Sequence, residues 1–576
     1  MASARLQAMD LTSLRAVLSE LRPWVEPSRF EKAQQVDHHT VQLGLRTLEG
    51  HLWLELSWQA EAPRFLAIER PPRQGEGSTL AKQLQHGLSA LALVQLEEPQ
   101  WERVVSMGFA ARPGATIQRW LVLELMGRHS NLFLLDAQRR VVAAARQVRQ
   151  QQSRLRPIGT GDPYSPPPAL SGNPPSSAES FSHWKQQLTL LPLPLLKAMQ
   201  NAYQGISPAL AHQLAGDEPN QSSELLATPV QGLNTEQWQM LWQRWQFWLT
   251  ALEERRFRFS PGRSCAYRCW QEPNNSPDSG SDQPRAALAL NQALAHYHRD
   301  HLLKRQLQLK QHSLRQKLEQ RLRRECEQMQ QQQELLLQVD SSEELQQQAD
   351  ALLCLTKPSR EQVGEAQALY KRARKLRRSV QAITPRLQQH QQRIDQLEAS
   401  LIYLEQGPEN DLVAALNHLQ GLEDDSSTLL ETKAESSRKR SRSTDVPQPL
   451  ELSAPSGMKL QIGRNHRQNE WISFRQSRRG DLWFHAQECP GSHVVLKGSE
   501  GVVGDGDLQT AAALAAHFSR ARGNNRVAVV MVPCDELQRI PGTVAGTVRH
   551  RGGEVLWAEP SRAVALLTSL KREPEP

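Results

Sequence analysis

Residues 481–496 read DLWFHAQECPGSHVVL. Two short apolar runs flank a polar break at Cys489-Pro490-Gly491-Ser492, which predicts strand, tight turn, strand. Trp483, Phe484, Val494 and Val495 are strand formers. Trp483, His485, Ser492 and His493 crowd the turn with groups that stack and hydrogen bond. On spacing alone, the two histidines either contact a ligand or fill strand positions. Ile462-Gly463-Arg464-Asn465 lies upstream, followed by Gln468-Asn469; downstream, Ala511–Ala515 leads into Phe518-Ser519-Arg520-Ala521-Arg522. This places a compact α/β module at about 457–562, with a short tail over 563–576.

Working back, a charged Ser, Glu, Lys and Arg stretch over 421–456 reads as a disordered linker. It contains the basic run Arg438-Lys439-Arg440-Ser441-Arg442. Before it, Leu369, Ala373, Leu376, Val380, Ile383, Leu387, Ile394, Leu397, Leu401 and Leu404 recur at alternating steps of four and three, with His390 in the one polar slot. That is a heptad seam. A second stripe runs Leu307, Leu314, Leu318, Leu322, Met329. The pair predicts a long antiparallel coiled coil over 288–420, with a helix-breaking tip near Asp340–Pro358.

Residues 1–165 read as an α/β domain. Leu11–Leu21 and Leu80–Leu91 carry helical periodicity. Leu43–Trp58 alternates as paired strands about Glu49-Gly50, and Phe65–Ile68, Trp120–Met126 and Leu132–Leu135 read as further strands. A proline-rich linker over 166–180 follows. Residues 181–260 are helical and hold Tyr203-Gln204-Gly205-Ile206-Ser207-Pro208, where Gly205 ends one helix, Ser207 caps the next and Pro208 opens it. The reading is a helix-hairpin-helix, a device that offers backbone amides to phosphate, or an ordinary helical hairpin. Residues 261–287 return as strand and loop to the first domain.

The chain of 576 residues has 69 Lys and Arg against 61 Asp and Glu, a net charge of +8. That excess permits a phosphate-facing surface without requiring one. The six cysteines form no zinc pattern. His38-His39 and His296-x-His298-x-x-His301 do not put ligands on one helix face. No metal and no cofactor are expected. No apolar run is long enough to cross a bilayer, and the N-terminus lacks a signal peptide's pattern, so no membrane partner is expected and the location is cytoplasmic.

The order of these motifs resembles the NFACT family, which includes bacterial RqcH, eukaryotic NEMF and proteins named fibronectin-binding protein A. Three further stretches carry the resemblance: Leu123–Leu132 (LELMGRHSNL), Gly161-Asp162-Pro163-Tyr164, and Ala366–Tyr370 with Arg374-Lys375-Leu376. The strand insertion usual before the last of these is missing here. The resemblance implies an α+β multidomain fold whose N-terminal domain is similar to formamidopyrimidine-DNA glycosylase, followed by the hairpin, the arm and an RNA-binding module. The glycosylase's chemistry is not expected, since the sequence opens Met1-Ala2-Ser3 and lacks a four-cysteine finger.

It further implies a non-enzymatic factor of ribosome-associated quality control. Its partners would be the large ribosomal subunit, nascent peptidyl-tRNA, and alanyl-tRNA brought for untemplated alanine tailing. The rival readings are a ribosome-associated RNA-binding protein without tailing and a fibronectin-binding adhesin. By resemblance, tRNA contacts fall to Asp10, Glu102, Arg103 and Arg128, with Gly205 and Ser207 in the hairpin. RNA contacts in the last module fall to Arg464, Asn465, Trp483, His485, Ser492 and His493. The family's usual Asp-Arg pair is Glu102-Arg103 here, which moves the carboxylate out by one methylene.

Overall fold

A computed structural model describes residues 6–73, 78–99, 101–153, 155–168, 171–272, 288–355, 357, 359–408, 411–430, 447–540 and 545–569. The chain divides into two compact units, Met1–Leu302 and Leu303–Pro576.

The first unit is built on a sheet of nine strands among the described residues. Its order is Arg64–Ile68, Gly50–Ser57, Thr40–Thr47, Ser28–Asp37, Ala92–Glu97, Val104–Ala110, Arg119–Glu124, Asn131–Asp136, Val141–Ala144. Every pairing is antiparallel, which corrects the α/β reading. Two meanders join where Ser28 and Arg29 pair with Leu93 and Ala92. The helix Leu11–Val25 turns Leu14, Val17, Leu18, Leu21 and Val25 into the core, the 3–4 spacing of one helix face. They pack with Leu43, Leu54, Leu93, Leu121 and Leu123 from the sheet.

The expected strands formed within three residues of their predicted ends. Ser28–Asp37 was not foreseen. Its sequence, SRFEKAQQVD, is mostly polar, and pairing on both sides rather than its own hydrophobicity makes it a strand.

Five helices follow: Phe181–Thr189, Leu195–Ala202, Pro208–Ala215, Pro219–Ala227 and Thr235–Glu253. They close on a tryptophan-rich core of Trp184, Trp238, Trp245 and Trp248 with Tyr203. The linker expected over 166–180 is not free. Asn173 donates its N–H to the Ala202 carbonyl (2.8 Å) and accepts from Gln204 N–H (3.0 Å), which pins this stretch to the hairpin. Gly172 has φ +101°, and a Cβ there would fall 3.0 Å from the Ala202 backbone.

The helix Ala289–Leu353 extends into the expected tip and ends within it, and Arg360–Leu404 returns antiparallel to it in the second unit. Gln311 reaches the Leu404 carbonyl (3.2 Å), Arg315 pairs with Glu405 (3.2 Å) and His390 with Glu325 (2.7 Å). Further along, Arg377 bonds Gln346 and Tyr370 bonds Asp350. His390, the polar slot of the seam, thus faces a fully buried carboxylate that Arg321 also holds at 2.6 Å. A third helix, Leu412–Leu430, packs Leu419, Leu422 and Leu429 with Leu314, Leu318, Leu397 and Leu404.

That helix corrects the expectation of disorder from 421. Its apolar face has a partner that the local composition does not reveal. At the other end of the same stretch, Leu450–Ser453 is already the first strand of the C-terminal sheet. Residues 431–446, with the basic run 438–442, lie outside the described residues. The C-terminal sheet is antiparallel and orders as Leu450–Ser453, Lys459–Ile462, Val494–Leu496, Leu482–Ala486, Val527–Pro533, Glu554–Ala558. Helix Asp505–His517 lies on it, with Ala511, Ala512, Ala513, Ala515 and Ala516 all buried; their small side chains permit a close approach. Helix Pro560–Ser569 occupies the start of the expected tail.

Among the described residues no helix is long and apolar enough to cross a membrane, and no cluster of His, Cys, Asp or Glu has a metal-holding arrangement.

Candidate RNA-binding sites

In the first unit, two helix N-termini meet. Asp10 caps Leu11–Val25: its Oδ1 accepts from Ser13 N–H (2.9 Å) and Ser13 Oγ (2.7 Å). Ser207 caps Pro208–Ala215 by accepting the Leu210 N–H at 2.9 Å. The Ser207 hydroxyl donates to Asp10 Oδ2 at 2.6 Å, so one carboxylate ties both caps together. Each such cap contributes about 1 kcal/mol to its helix.

Arg103 completes the arrangement. Burial lowers its pKa, while the charges of Asp10 and Glu102 oppose that shift. Asp10, Arg103, Gly205 and Ser207 line one cavity of about 300 Å³, together with Trp101, Tyr203 and Ser171. The cavity sets the Arg103 guanidinium against the Asp10 carboxylate, and both helix ends are already capped.

Gly205 is required by both backbone and space. Its φ is +77°, and a Cβ there would fall 2.8 Å from Leu11 Cδ2 and 3.1 Å from Trp101 Cε3. Trp101 itself is left-handed at φ +64°. Its ring meets Trp248 edge-on at 6.0 Å and carries the Arg15 guanidinium at 4.6 Å. Trp101 and Tyr203 were not foreseen as site residues. Trp101's position directly before Glu102-Arg103 was the available signal.

Glu102 acts on Arg103 through its charge but does not line this cavity. Arg128 does not line it either. It lies exposed in the turn Gly127–His129, and its carbonyl accepts from Arg146 Nη1 at 2.8 Å. The two arginines share one end of the sheet, since the Arg103 carbonyl accepts the Leu125 N–H at 2.9 Å. The two N-terminal sequence signatures also meet there. Glu124 is held by Arg156 through two bonds (2.9 and 2.6 Å) and accepts from the Tyr164 hydroxyl at 2.9 Å. This buried ion pair joins LELMGRHSNL to GDPY.

In the second unit, Gly463 and Asn469 organise the module. Asn465 caps His466–Glu470 through Gln468 N–H (2.7 Å), and Gln468 Oε1 accepts the Arg464 N–H (2.8 Å). Asn469 Nδ2 donates to the Tyr403 hydroxyl (2.8 Å), and its Oδ1 accepts the His493 N–H (3.2 Å). Tyr403 in turn donates to the Gly491 carbonyl at 3.0 Å. The returning helix is thereby bonded to the stretch that the sequence singles out.

Of the residues expected to touch RNA here, Asn465 and Ser492 point inward: one is a cap, and the other, fully buried, donates to Gln406 at 3.2 Å. Arg464 is half-buried near His418, and burial lowers the pKa of both. Trp483, His485 and His493 line a cleft of about 590 Å³. His493 Nδ1 is 2.8 Å from Ser473 Oγ. Tyr403 and Asn469 also line the cleft and were not foreseen as site residues. No spacing signal links them, because the bond spans two elements.

Burial pushes His418, His466 and His485 down to about 4, and His493 well below its ordinary value. The unfolded chain takes up these protons near pH 6.5, whereas the folded one does so only near pH 4. Stability is therefore fully present above about pH 6.5 and falls as pH drops towards 4. Hydrogen exchange at pH 7 and pH 5 is expected to show the strands around His485 and His493 losing protection at pH 5 beyond the intrinsic rate change. Equal protection would remove the buried neutral histidines from the account.

A family model described as NFACT N-terminal and middle domains matches residues 10–365, and one described as NFACT protein RNA binding domain matches 453–552. The chain belongs to the NFACT family. Among curated relatives, Rqc2 homolog RqcH of Streptococcus pneumoniae strain D39 is 24% identical over 585 residues, covering 95% of this chain and 97% of the relative. The protein of that name from Streptococcus suis is 23% identical over 587 residues, with the same coverage. The one from Bacillus subtilis is 32% identical over 105 residues, 18% of each chain.

Proposed function

We propose that this chain is a cytoplasmic ribosome-associated quality-control factor. It binds large ribosomal subunits that still carry peptidyl-tRNA and brings alanyl-tRNA for untemplated alanine tailing of the nascent chain. The first unit shares the glycosylase-like fold, and the long helices act as a coiled-coil arm. Peptide-bond formation belongs to the ribosome; the protein holds and selects tRNA.

One observation carries this reading above the others. Asp10, Arg103, Gly205 and Ser207, drawn from distant stretches, line one cavity in which Arg103 is the cation. Similarity along nearly the full length to proteins named Rqc2 homolog RqcH supports the same reading. Arg128 would add a cation at the same sheet end. Arg464, with Trp483, His485 and His493, would serve RNA contact by the last module, where Asn465 and Ser492 act as supports.

The test is to purify the tagged protein from cells and sequence its bound RNA. Enrichment of tRNA, with alanine acceptors foremost, is expected, together with sedimentation alongside free large subunits. Co-sedimentation should weaken as salt rises, because phosphate contacts release counterions. A protein found only at the top of the gradient at low salt would contradict the proposal. Subunit binding without alanine tails on a stalled reporter would favour the non-tailing rival.

The arm offers a separate expectation. Removing 329–386 and joining the helices by a short turn spares Leu314, Leu318, Leu397 and Leu404, which hold the base of the arm. Subunit binding should fall to background while the first unit keeps its melting profile. Retained co-sedimentation would show that the arm is not the anchor.

A further inference from the structure

The 590 Å³ cleft of the second unit is lined by the end of helix Arg360–Leu404, the strand Leu482–Ala486 and the turn after it. No lysine or arginine is among its described lining residues; Asp395 and Glu488 are its charged groups. Such a lining repels phosphate. What it offers instead is flat, neutral and polar. Trp483 and His485 are stacked, with ring centroids 5.5 Å apart and 13° between planes. His493 meets both rings edge-on, at 5.1 and 5.3 Å. His550 tilts over Trp483 at 6.0 Å.

Burial keeps His466, His485 and His493 uncharged; one ring nitrogen of His466 is engaged by Ser400 and one of His493 by Ser473. The Trp483 indole N–H is the second, independent sign. Trp483 is 2% exposed, lines the cleft, and its Nε1 has no hydrogen-bond partner among the described residues. A buried donor left without an acceptor is costly; this atom is closed to solvent, so an acceptor reaches it when the surrounding rings part. Two exposed cations flank His550 in sequence, Arg549 and Arg551.

We propose that this cleft takes one unstacked nucleobase of a single-stranded RNA segment, while Arg549 and Arg551 meet the adjoining phosphates. A base is planar and uncharged, and carries ring-nitrogen and carbonyl acceptors for an indole N–H. Imidazole and indole rings are its usual stacking partners. The inference rests on the RNA-binding reading and narrows it to a kind of contact: a base read out of its stack, in a pocket the backbone phosphates do not enter.

The test uses the full chain and three fluorescein-labelled probes: a hexamer of adenylates, a hexamer of uridylates, and an abasic hexamer with the same ribose-phosphate backbone. Base-bearing probes should bind more tightly than the abasic one by roughly five- to a hundredfold, the range for one stacked base. In Trp483→Phe, which keeps an aromatic ring and removes the N–H, that advantage should shrink several-fold, with a thermal melt controlling for the smaller ring. In His550→Ala, at an exposed position, it should shrink as well, with abasic binding unchanged. Equal binding of all three probes by the wild type would overturn the proposal while leaving RNA binding intact. So would a base advantage that survives both substitutions. Binding of no probe at all would remove the RNA-binding reading with it. Free adenosine competing as well as the hexamer would make a nucleoside, not RNA, the occupant and overturn the proposal.

Discussion

Arg103→Ala is expected to lower tRNA recovery by about tenfold to a hundredfold and to abolish alanine tails, while subunit binding persists. The guanidinium lines the cavity of about 300 Å³ beside the two capped helix ends. Its loss removes a charge-assisted contact worth about 1.5–3 kcal/mol, and it leaves Asp10 as the dominant charge facing the ligand. Arg103→Lys keeps the charge but not the planar fork, so an intermediate loss is expected.

Glu102→Asp restores the family's usual pair and should be tolerated or beneficial. Glu102→Ala should cost less than Arg103→Ala, because Glu102 acts on the arginine's charge from outside the cavity. The measurements are tRNA sequencing from purified protein and mass spectrometry of a stalled reporter peptide. Co-sedimentation and a thermal melt serve as controls on folding. Normal tails and normal tRNA yield in Arg103→Ala would sink the assignment of this cavity.

Gly463→Ala is expected to disrupt the C-terminal module. The added Cβ would fall 2.0 Å from Asn469 Oδ1, 2.8 Å from Asn469 N and 3.0 Å from its Cα. The Asn469 side chain could swing aside only by giving up its own bonds, and Asn469 N and Cα are backbone, held in the helix His466–Glu470. Relief therefore moves that helix and breaks the bonds of Asn469 to Tyr403 and His493. Overpacking of this kind costs roughly 3 kcal/mol or more, a large part of a domain's stability. Hydrogen exchange should show lost protection in Lys459–Ile462 and Leu482–Ala486, with the nine-stranded sheet of the first unit unchanged. Unchanged exchange across the module would contradict this account of Gly463.

Both sites were partly legible beforehand, and the limits have physical causes. The turn expected at Cys489–Ser492 instead falls at Gln487-Glu488, within the 485–493 connection between the paired residues Phe484 and Val494. The cap at Ser207 and the seam with its polar slot at His390 are local features. Each follows from backbone preference or periodicity within a few residues. The N-terminal cavity is different. Ser207 reaches Asp10 across 197 positions, a contact set by how the tryptophan-rich helices close on the first helix. Likewise Glu325 opposite His390, and Tyr403 opposite Asn469, follow from how elements pair.

By itself, then, the sequence determined the helices, their caps and the order of the modules, because hydrophobic period and capping chemistry act over one or two turns of chain. Tertiary structure decided that Ser28–Asp37 is a strand, that the helix Leu412–Leu430 forms where disorder was expected, and that Asn465 and Ser492 serve as supports. It also brought Asp10, Arg103 and Ser207 around one cavity. The reason is common to all of these: burial and pairing belong to the partner surface as much as to the residue, and no local pattern records which partner the chain will meet.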